Sequence, residues 1–293
     1  MNATTSLIDA ELLHARAPGG ISYAYRRFGN SAAGVPVVFL QHFRGNIDNW
    51  DPALIDAIAA DREVILFDNV GVGATSGTTP GTVEEMARDA VVFLDALGLG
   101  EVDLFGFSLG GFVAQEIALT RPGLVRRLIL AGTGPKGAPG MREWSPDVVK
   151  SVVSEEDVTP GGYVYVFYAH TDSSRAAGQA SLGRIFQRQE GRDEGPSLES
   201  KNAQYQAVLA WGVPDWASVG RLRDISQPTL ILQGDADIMI PTAASHTMAG
   251  LIPNAKLTIY PDASHGSIFQ YAAEAASETA AFLSDCPRHA VGV

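Results

Sequence analysis

Short apolar runs alternate along the chain with longer amphipathic ones. Val37–Gln41 (VVFLQ), Glu63–Asp68 (EVILFD), Val102–Phe107 (VDLFGF), Arg127–Ala131 (RLILA), Thr229–Gln233 (TLILQ) and Lys256–Tyr260 (KLTIY) read as strands. Most are continuously apolar, the pattern of parallel strands covered on both faces by helices. Ile21–Phe28 (ISYAYRRF) alternates polar and apolar positions and predicts an early antiparallel strand near the sheet edge. Thr82–Leu97 (TVEEMARDAVVFLDAL) reads as a helix that opens with a Thr-x-x-Glu capping box and ends before Gly98. Leu109–Leu119 reads as a second helix, with small residues that suit close packing on a sheet, and Pro122 stops it. Strands alternating with helices predict an α/β fold with a mostly parallel central sheet flanked by helices.

From about Gly134 to Gly220 this alternation is lost. The stretch begins with GPKGAPG and closes before QPTLILQGD, where the sheet pattern resumes. A structureless loop of that length is uncommon inside a compact domain. Residues 134–220 are therefore expected to be an inserted, mostly helical cap, with 1–133 and 221–293 as the two parts of the core. The cap stretch GGYVYVFYAH is apolar enough to pack against the main domain. Ligand sites favour such interfaces, so Trp144, Tyr165, Phe167 and Trp211 are candidates for lining a pocket.

Composition narrows the class. With 293 residues, 46% of them hydrophobic, the chain can bury a large core. A net charge of −12 argues against a nucleic-acid partner, which would need clustered Lys and Arg. The single cysteine, Cys286, excludes an intramolecular disulfide and a Cys-rich metal site, and a reduced, cytoplasmic setting is expected. MNATTSLIDAELLHARAPGG has no basic region followed by an apolar core, so no signal peptide is read. No apolar run approaches the roughly 20 residues of a membrane span.

Between the strand VDLFGF and the helix that follows it lies Gly106-Phe107-Ser108-Leu109-Gly110. In that setting G-x-S-x-G marks a sharp turn that lifts a serine hydroxyl out of the sheet, near a helix N-terminus that favours anions. The plain alternative is a Gly/Ser-rich connection without chemistry. A nucleophilic serine needs a base, and the base needs an orienting acid. Among the histidines, His265 alone sits in a turn just past a strand, in LTIYPDASHGSIF, with small residues around it. His14, His170, His246 and His289 read as surface or satisfied polar residues. For the acid, TLILQGDADIMIP offers Asp235 and Asp237 at a strand end, although either suits capping the helix near Thr242. Asp237 is the choice, Asp235 reads as a turn-former, and Asp262 is the weaker alternative.

The elbow GFSLGG, the acid stretch GDADIMIP, the histidine stretch PDASHG and DNVGVGATS after an earlier strand stand in order over Ile21 to Ala281. On these motifs the chain resembles the α/β-hydrolase superfamily, in particular its esterase, cofactor-free haloperoxidase and lactonase-like branch. The order Ser108…Asp237…His265 is that of the family. Where the family has His-Gly-x after the third strand, this chain has LQHFRGNIDNW. Counting back from Trp50 sets Gln41-His42-Phe43 on that motif. This makes Phe43 the backbone donor to an oxyanion, with Leu109 as its partner. Aligning on the histidine instead makes the donor Arg44. His42 either hydrogen-bonds substrate or braces the loop, and Arg44 either meets an anionic substrate group or forms a loop salt bridge. In DNVGVGATS, Val70 stands where many relatives carry Arg, and no third glycine or Walker lysine follows, so it reads as a structural turn.

The resemblance implies a serine hydrolase that cleaves a carboxylic ester or lactone of a small, largely apolar substrate through an acyl-serine. Neither a metal nor an organic cofactor is implied. Ser108 argues against the dehalogenases and epoxide hydrolases of the fold, which carry an aspartate at the elbow. The extended Gly-rich loop of carbon–carbon bond hydrolases is not found. A perhydrolase, with peroxide in place of water, shares the same three residues. A different class is a small-molecule receptor on the same fold, betrayed by tight binding with slow single turnover. The expected partner is a small molecule rather than nucleic acid or membrane, and self-association into a homo-oligomer is left open.

Overall fold

The computed structural model describes residues 6–154 and 158–285. Residues 1–5 of the N-terminal stretch read above, Cys286 and His289 lie outside them. Among the described residues one eight-stranded sheet runs in the order β1-β2-β4-β3-β5-β6-β7-β8. Its strands are β1 (Leu13–Arg16), β2 (Ser22–Gly29), β3 (Val37–Leu40), β4 (Glu63–Phe67), β5 (Val102–Phe107), β6 (Val125–Ala131), β7 (Thr229–Gly234) and β8 (Ala255–Tyr260). β1 pairs with β2, and β2 with β4, antiparallel; β4, β3, β5, β6, β7 and β8 run parallel. Every residue of β3, β5 and β7 is buried, which accounts for their largely apolar sequences; the buried Asp103 of β5 is met by the Arg126 guanidinium. β2 is the alternating strand, and it lies one place in from the edge. The outermost strand, β1, buries only Ala15 and leaves no periodic signal in the sequence.

Three helices connect the first strands: α1 (Pro52–Ala59), α2 (Val83–Ala96) and α3 (Leu109–Thr120). Thr82 caps α2. Its hydroxyl accepts the Glu85 N–H at 3.3 Å and donates to the Glu85 carboxylate at 2.7 Å. Under the sheet's C-terminal end lies an aromatic layer. Phe39 stacks on Phe105 at 5.0 Å, and Trp50 meets Phe39, Phe105 and Phe107 at 5.1–6.0 Å. Each such pair adds about 0.5–1.5 kcal/mol beyond area burial. The layer fixes the strand ends from which the site is built.

Between β6 and β7 the described chain holds only helices and loops: α4 (Pro146–Val149), a π-helical turn at Lys150–Ser154, α5 (Pro160–Phe167), α6 (Asp172–Ile185), α7 (Leu198–Trp211) and α8 (Trp216–Gly220). Polar ties fasten this insertion to the sheet unit. The buried carboxylate of Asp51, at the start of α1, receives both arms of the Arg184 guanidinium at 2.7–2.8 Å and the Ser181 hydroxyl at 2.7 Å. The remaining helices are α9 (Thr242–Leu251), α10 (Ser267–Gln270) and α11 (Ala272–Ser284), with α11 packed on α1. No helix among the described residues is long and apolar enough to cross a membrane.

Candidate active site

β5 ends at Phe107 and α3 begins at Leu109, so Ser108 must turn the chain in one residue. It does so at φ 55°, ψ −118°, a conformation that costs a non-glycine residue about 1–3 kcal/mol. The surroundings hold it there. Its N–H donates to the Ala131 carbonyl at 2.9 Å, and its own carbonyl accepts the Gly111 N–H and the Thr133 hydroxyl, each at 2.8 Å. The flanking glycines are steric requirements. A methyl group on Gly110 would run into the Leu40 carbonyl, and one on Gly106 into the Gly110 carbonyl.

Ser108 Oγ lies 2.9 Å from His265 Nε2, and His265 Nδ1 lies 2.9 Å from Asp237 Oδ2. The carboxylate can only accept, so Nδ1 carries the hydrogen and Nε2 presents a lone pair to the serine O–H. Asp237 follows β7 and has a fully buried side chain. Its Oδ1 accepts the N–H groups of Met239 and Ile240 at 2.8 and 2.9 Å, and Oδ2 also accepts the Gln233 amide at 2.9 Å. Four donors therefore lock the carboxylate. The His265 loop is pinned from the insertion side, with Gly266 N–H on the Phe167 carbonyl at 2.7 Å and Ser264 Oγ on Val166 O at 2.9 Å. Asp235 is exposed, with its carboxylate near the Ala263 N–H at 3.3 Å. Asp262 faces the start of α6, where its carboxylate takes the hydroxyls of Thr171 and Ser173 at 2.7–3.0 Å. Neither reaches His265.

Ser108 and His265 open onto a cavity of about 300 Å³ between the sheet unit and the insertion. From the loop after β3, His42, Phe43, Arg44, Asn46 and Asn49 line it; Val152, Tyr163, Phe167 and Phe186 of the insertion face them, and Met239 closes one side. The Arg44 N–H is taken by Gln204 Oε1 at 2.7 Å, whereas the N–H groups of Phe43 and Leu109 have no partner among the described residues. The Arg44 guanidinium donates to the Val152 carbonyl at 3.2 Å, joining the loop to the insertion. His42 is buried, its Nδ1 2.9 Å from the Phe43 carbonyl, and burial pushes its pKa down to about 4. At the far end Asp193 reaches the buried Asp68, the first residue of DNVGVGATS. Burial and the Asp193 charge hold the Asp68 carboxyl well above the usual carboxylate range, and Asp193 itself is raised. Asp68 also accepts the Ile47 N–H at 2.9 Å and the Ala74 N–H at 3.3 Å, so it ties this turn to the loop after β3. Among the described residues no group of three or more His, Cys, Asp or Glu could hold a metal ion.

The family model described as the alpha/beta hydrolase fold matches residues 35–271. The chain belongs to this family. Curated relatives at 30% identity or above include the following two. A non-heme haloperoxidase of Rhodococcus erythropolis is 30% identical over 262 residues, covering 85% of this chain and 91% of the relative. A poly(3-hydroxyalkanoate) depolymerase of Ectopseudomonas oleovorans is 31% identical over 239 residues, covering 78% and 77%. Among solved structures, an alpha/beta hydrolase fold protein from Chitinophaga pinensis is 35% identical, with a TM-score of 0.89 over 96% of this chain and 100% of that one. Family and relatives together support a hydrolase.

The hydrolase cavity takes fewer of the expected aromatic residues than the sequence suggested. Phe167 lines it, as do His42 and Arg44. Trp211 does not: it stacks on Phe112 at 5.0 Å and donates its indole N–H to the Gly134 carbonyl at 3.2 Å, bracing α7 on α3. Tyr165 does not either, since its ring lies against His170 at 4.6 Å. Trp144 stands behind the wall, packed on Phe43 and Tyr205 and bonded to the Met239 carbonyl at 3.0 Å. Tyr163, not singled out for the pocket, faces it and stacks on Phe167 at 4.2 Å. The signal was the helical period. On α5 residues 163 and 167 share a face and 165 lies on the other. His14, His170 and His246 are exposed.

Proposed function

We propose that the chain is a serine hydrolase that cleaves a carboxylic ester or lactone of a small, largely apolar substrate. The observation that carries this is the unbroken chain of 2.9 Å contacts from Ser108 through His265 to Asp237, set on a strained elbow that opens into a cavity. In this reading Ser108 Oγ attacks the substrate carbonyl while His265 Nε2 takes its proton. Asp237 keeps the imidazole in the required tautomer and stabilises its charged form. The oxyanion is received by the N–H groups of Phe43 and Leu109, the latter at the positive end of α3. His265 returns the proton to the leaving alcohol, and the acyl group stays on Ser108. Water, deprotonated by His265, then attacks the acyl-serine and releases the acid.

The occupied Arg44 N–H supports Phe43 as the donor. The apolar walls of Phe43, Val152, Phe167 and Met239, and a volume at the lower end of ligand pockets, support a small apolar acyl group. The depolymerase relative supports an ester bond. The haloperoxidase relative favours a second reading, in which hydrogen peroxide replaces water on the acyl-serine. A series of p-nitrophenyl esters from acetate to octanoate, on wild type and Ser108→Ala, tests the hydrolase. Turnover that vanishes in Ser108→Ala supports it, and added peroxide that yields peracid favours the second reading. A well-folded wild type without turnover would point instead to a small-molecule receptor.

A further inference from the structure

Between Gln41 and Pro52 every residue but Asn49 is buried, and Asn49 lines the cavity. Its amide is fixed and half spent. Oδ1 accepts the Asn46 N–H at 2.9 Å, which sets the sense of the amide and leaves Nδ2 as the free end. Nδ2 has no hydrogen-bond partner among the described residues, and it is not sealed from solvent. With buried residues on both sides, it opens to the cavity that the side chain lines. Asn46, on the same wall, is fully committed: Oδ1 accepts the Asp48 N–H and Nδ2 donates to the Glu194 carbonyl, each at 3.0 Å. Arg192 lies alongside. Its Nη2 donates to the Asp48 carbonyl at 3.1 Å and its Nη1 to the Ile185 carbonyl at 2.7 Å, while the guanidinium stands 4.4 Å over the Phe186 ring. These ties hold the insertion against the Asp48–Asn49 peptide and give the open amide a fixed setting. The charges around it are matched. Asp48 pairs with Arg26 at 2.7 Å, and Arg192 stands in the field of Asp48 and Asp193. A substrate carboxylate would meet Asp193, which lines the same cavity, as well as Arg192; a neutral oxygen meets no such opposition.

We infer that Asn49 Nδ2 is a specificity site that donates a hydrogen bond to a second, neutral carbonyl oxygen of the substrate. This rests on the reading of Ser108 as the nucleophile, because both side chains line one cavity. The carbonyl under attack already has its donors in Phe43 and Leu109, so the amide serves another oxygen. Free in water, such an amide is hydrated. A plain alkyl chain displaces that water without replacing its bond, whereas a ketone or a further ester replaces it. The substrate class is therefore an ester or lactone that carries an additional ketone or ester carbonyl. One neutral hydrogen bond corresponds to about five- to tenfold in kcat/KM. The group acts away from the reacting atoms and binds ground state and transition state alike, so the difference falls on KM.

The test compares p-nitrophenyl hexanoate, 5-oxohexanoate and hydrogen glutarate, which set a methylene, a ketone and a carboxylate at one position. The same three, one carbon longer, extend the reach, and pentyl against 4-oxopentyl acetate probes the alcohol side. Wild type should favour the ketone over its alkyl counterpart by about fivefold or more in at least one of these series, through KM. Asn49→Asp keeps an acceptor for the Asn46 N–H but withdraws the donor, and there the ratio should fall to one or below. Asn49→Leu should do the same and serves if the added charge unfolds the chain. No preference for a ketone in wild type, the same ratio in the variants, or a carboxylate favoured over the ketone overturns the inference. If wild type hydrolyses none of the esters, the nucleophile reading fails and binding answers the question about Asn49. Calorimetry should then show 5-oxohexanamide binding more tightly than hexanamide to wild type and equally to Asn49→Asp; equal affinities on wild type overturn the inference.

Discussion

The two halves of the cavity are built on opposite principles. The sheet side spends its hydrogen bonds on rigidity: Asp237 receives four donors, the Ser108 carbonyl is held by Gly111 and Thr133, and the elbow glycines touch neighbouring backbone. The insertion side presents rings and aliphatic groups, Tyr163, Phe167, Phe186 and Val152, on helices fastened by polar ties some distance away, such as Arg184 to Asp51. Reaction geometry tolerates errors of a few tenths of an ångström and therefore sits on strand ends. Substrate fit can be altered by replacing one ring, and it sits on the insertion. Asn49 is the exception, a sheet-side residue whose amide nitrogen has no partner among the described residues.

The rigid half depends most on Asp237. Replacing it with Asn keeps the shape but turns an N–H toward His265 Nδ1 and forces the wrong tautomer. We expect kcat to fall about 10⁴-fold with little change in KM, read from ester turnover. A drop of less than tenfold would mean that the locked carboxylate is structural only.

His42, in the same half, responds to pH. Unfolded, its imidazole titrates near the ordinary 6.5; folded, burial lowers this to about 4. Between those values the unfolded chain binds a proton that the native one refuses. The stability tied to keeping His42 neutral is therefore complete above pH 6.5 and is lost as the pH falls toward 4. At about 1.4 kcal/mol per pH unit the loss is about 3 kcal/mol. Urea unfolding at pH 7 and pH 4 should show this loss in wild type and not in His42→Phe, with the remaining titrations common to both.

On the insertion side, Tyr163→Ala should widen the cavity and move the preferred acyl chain longer by two or more carbons, with a several-fold loss on acetate. Tyr165→Ala should leave the chain-length profile unchanged, because that ring lies on His170. The smallest expected effect concerns strain. Ser108→Gly, at φ 55°, should abolish turnover yet raise stability by about 1 kcal/mol in thermal unfolding.

The same division explains what could be read from sequence. Continuous apolar runs identified the parallel strands because both faces of each are buried, and G-x-S-x-G, GDADIMIP and PDASHG lie where strand ends meet turns. β1 was invisible, since four residues with one buried alanine carry no period. The insertion resisted for a different reason. α7 turns Ser200, Lys201 and Gln204 inward along with Ala207, Val208 and Trp211, so polarity no longer reports burial. The aromatic residues of GGYVYVFYAH are told apart only by the helical period of α5, which turns Tyr163 and Phe167 toward the cavity and Tyr165 away from it. Asp68 and Asp193 come from distant parts of the chain and meet only through the fold.

The central claim is that His265 and Asp237 activate Ser108. It is tested most directly by exposing the native chain to a fluorophosphonate and locating the adduct by intact-mass and peptide mass spectrometry. The expected result is one adduct per chain, on the peptide containing Ser108, forming at least 10²-fold more slowly in His265→Ala. A folded wild type that stays unlabelled, or carries its adduct on another residue, would contradict it.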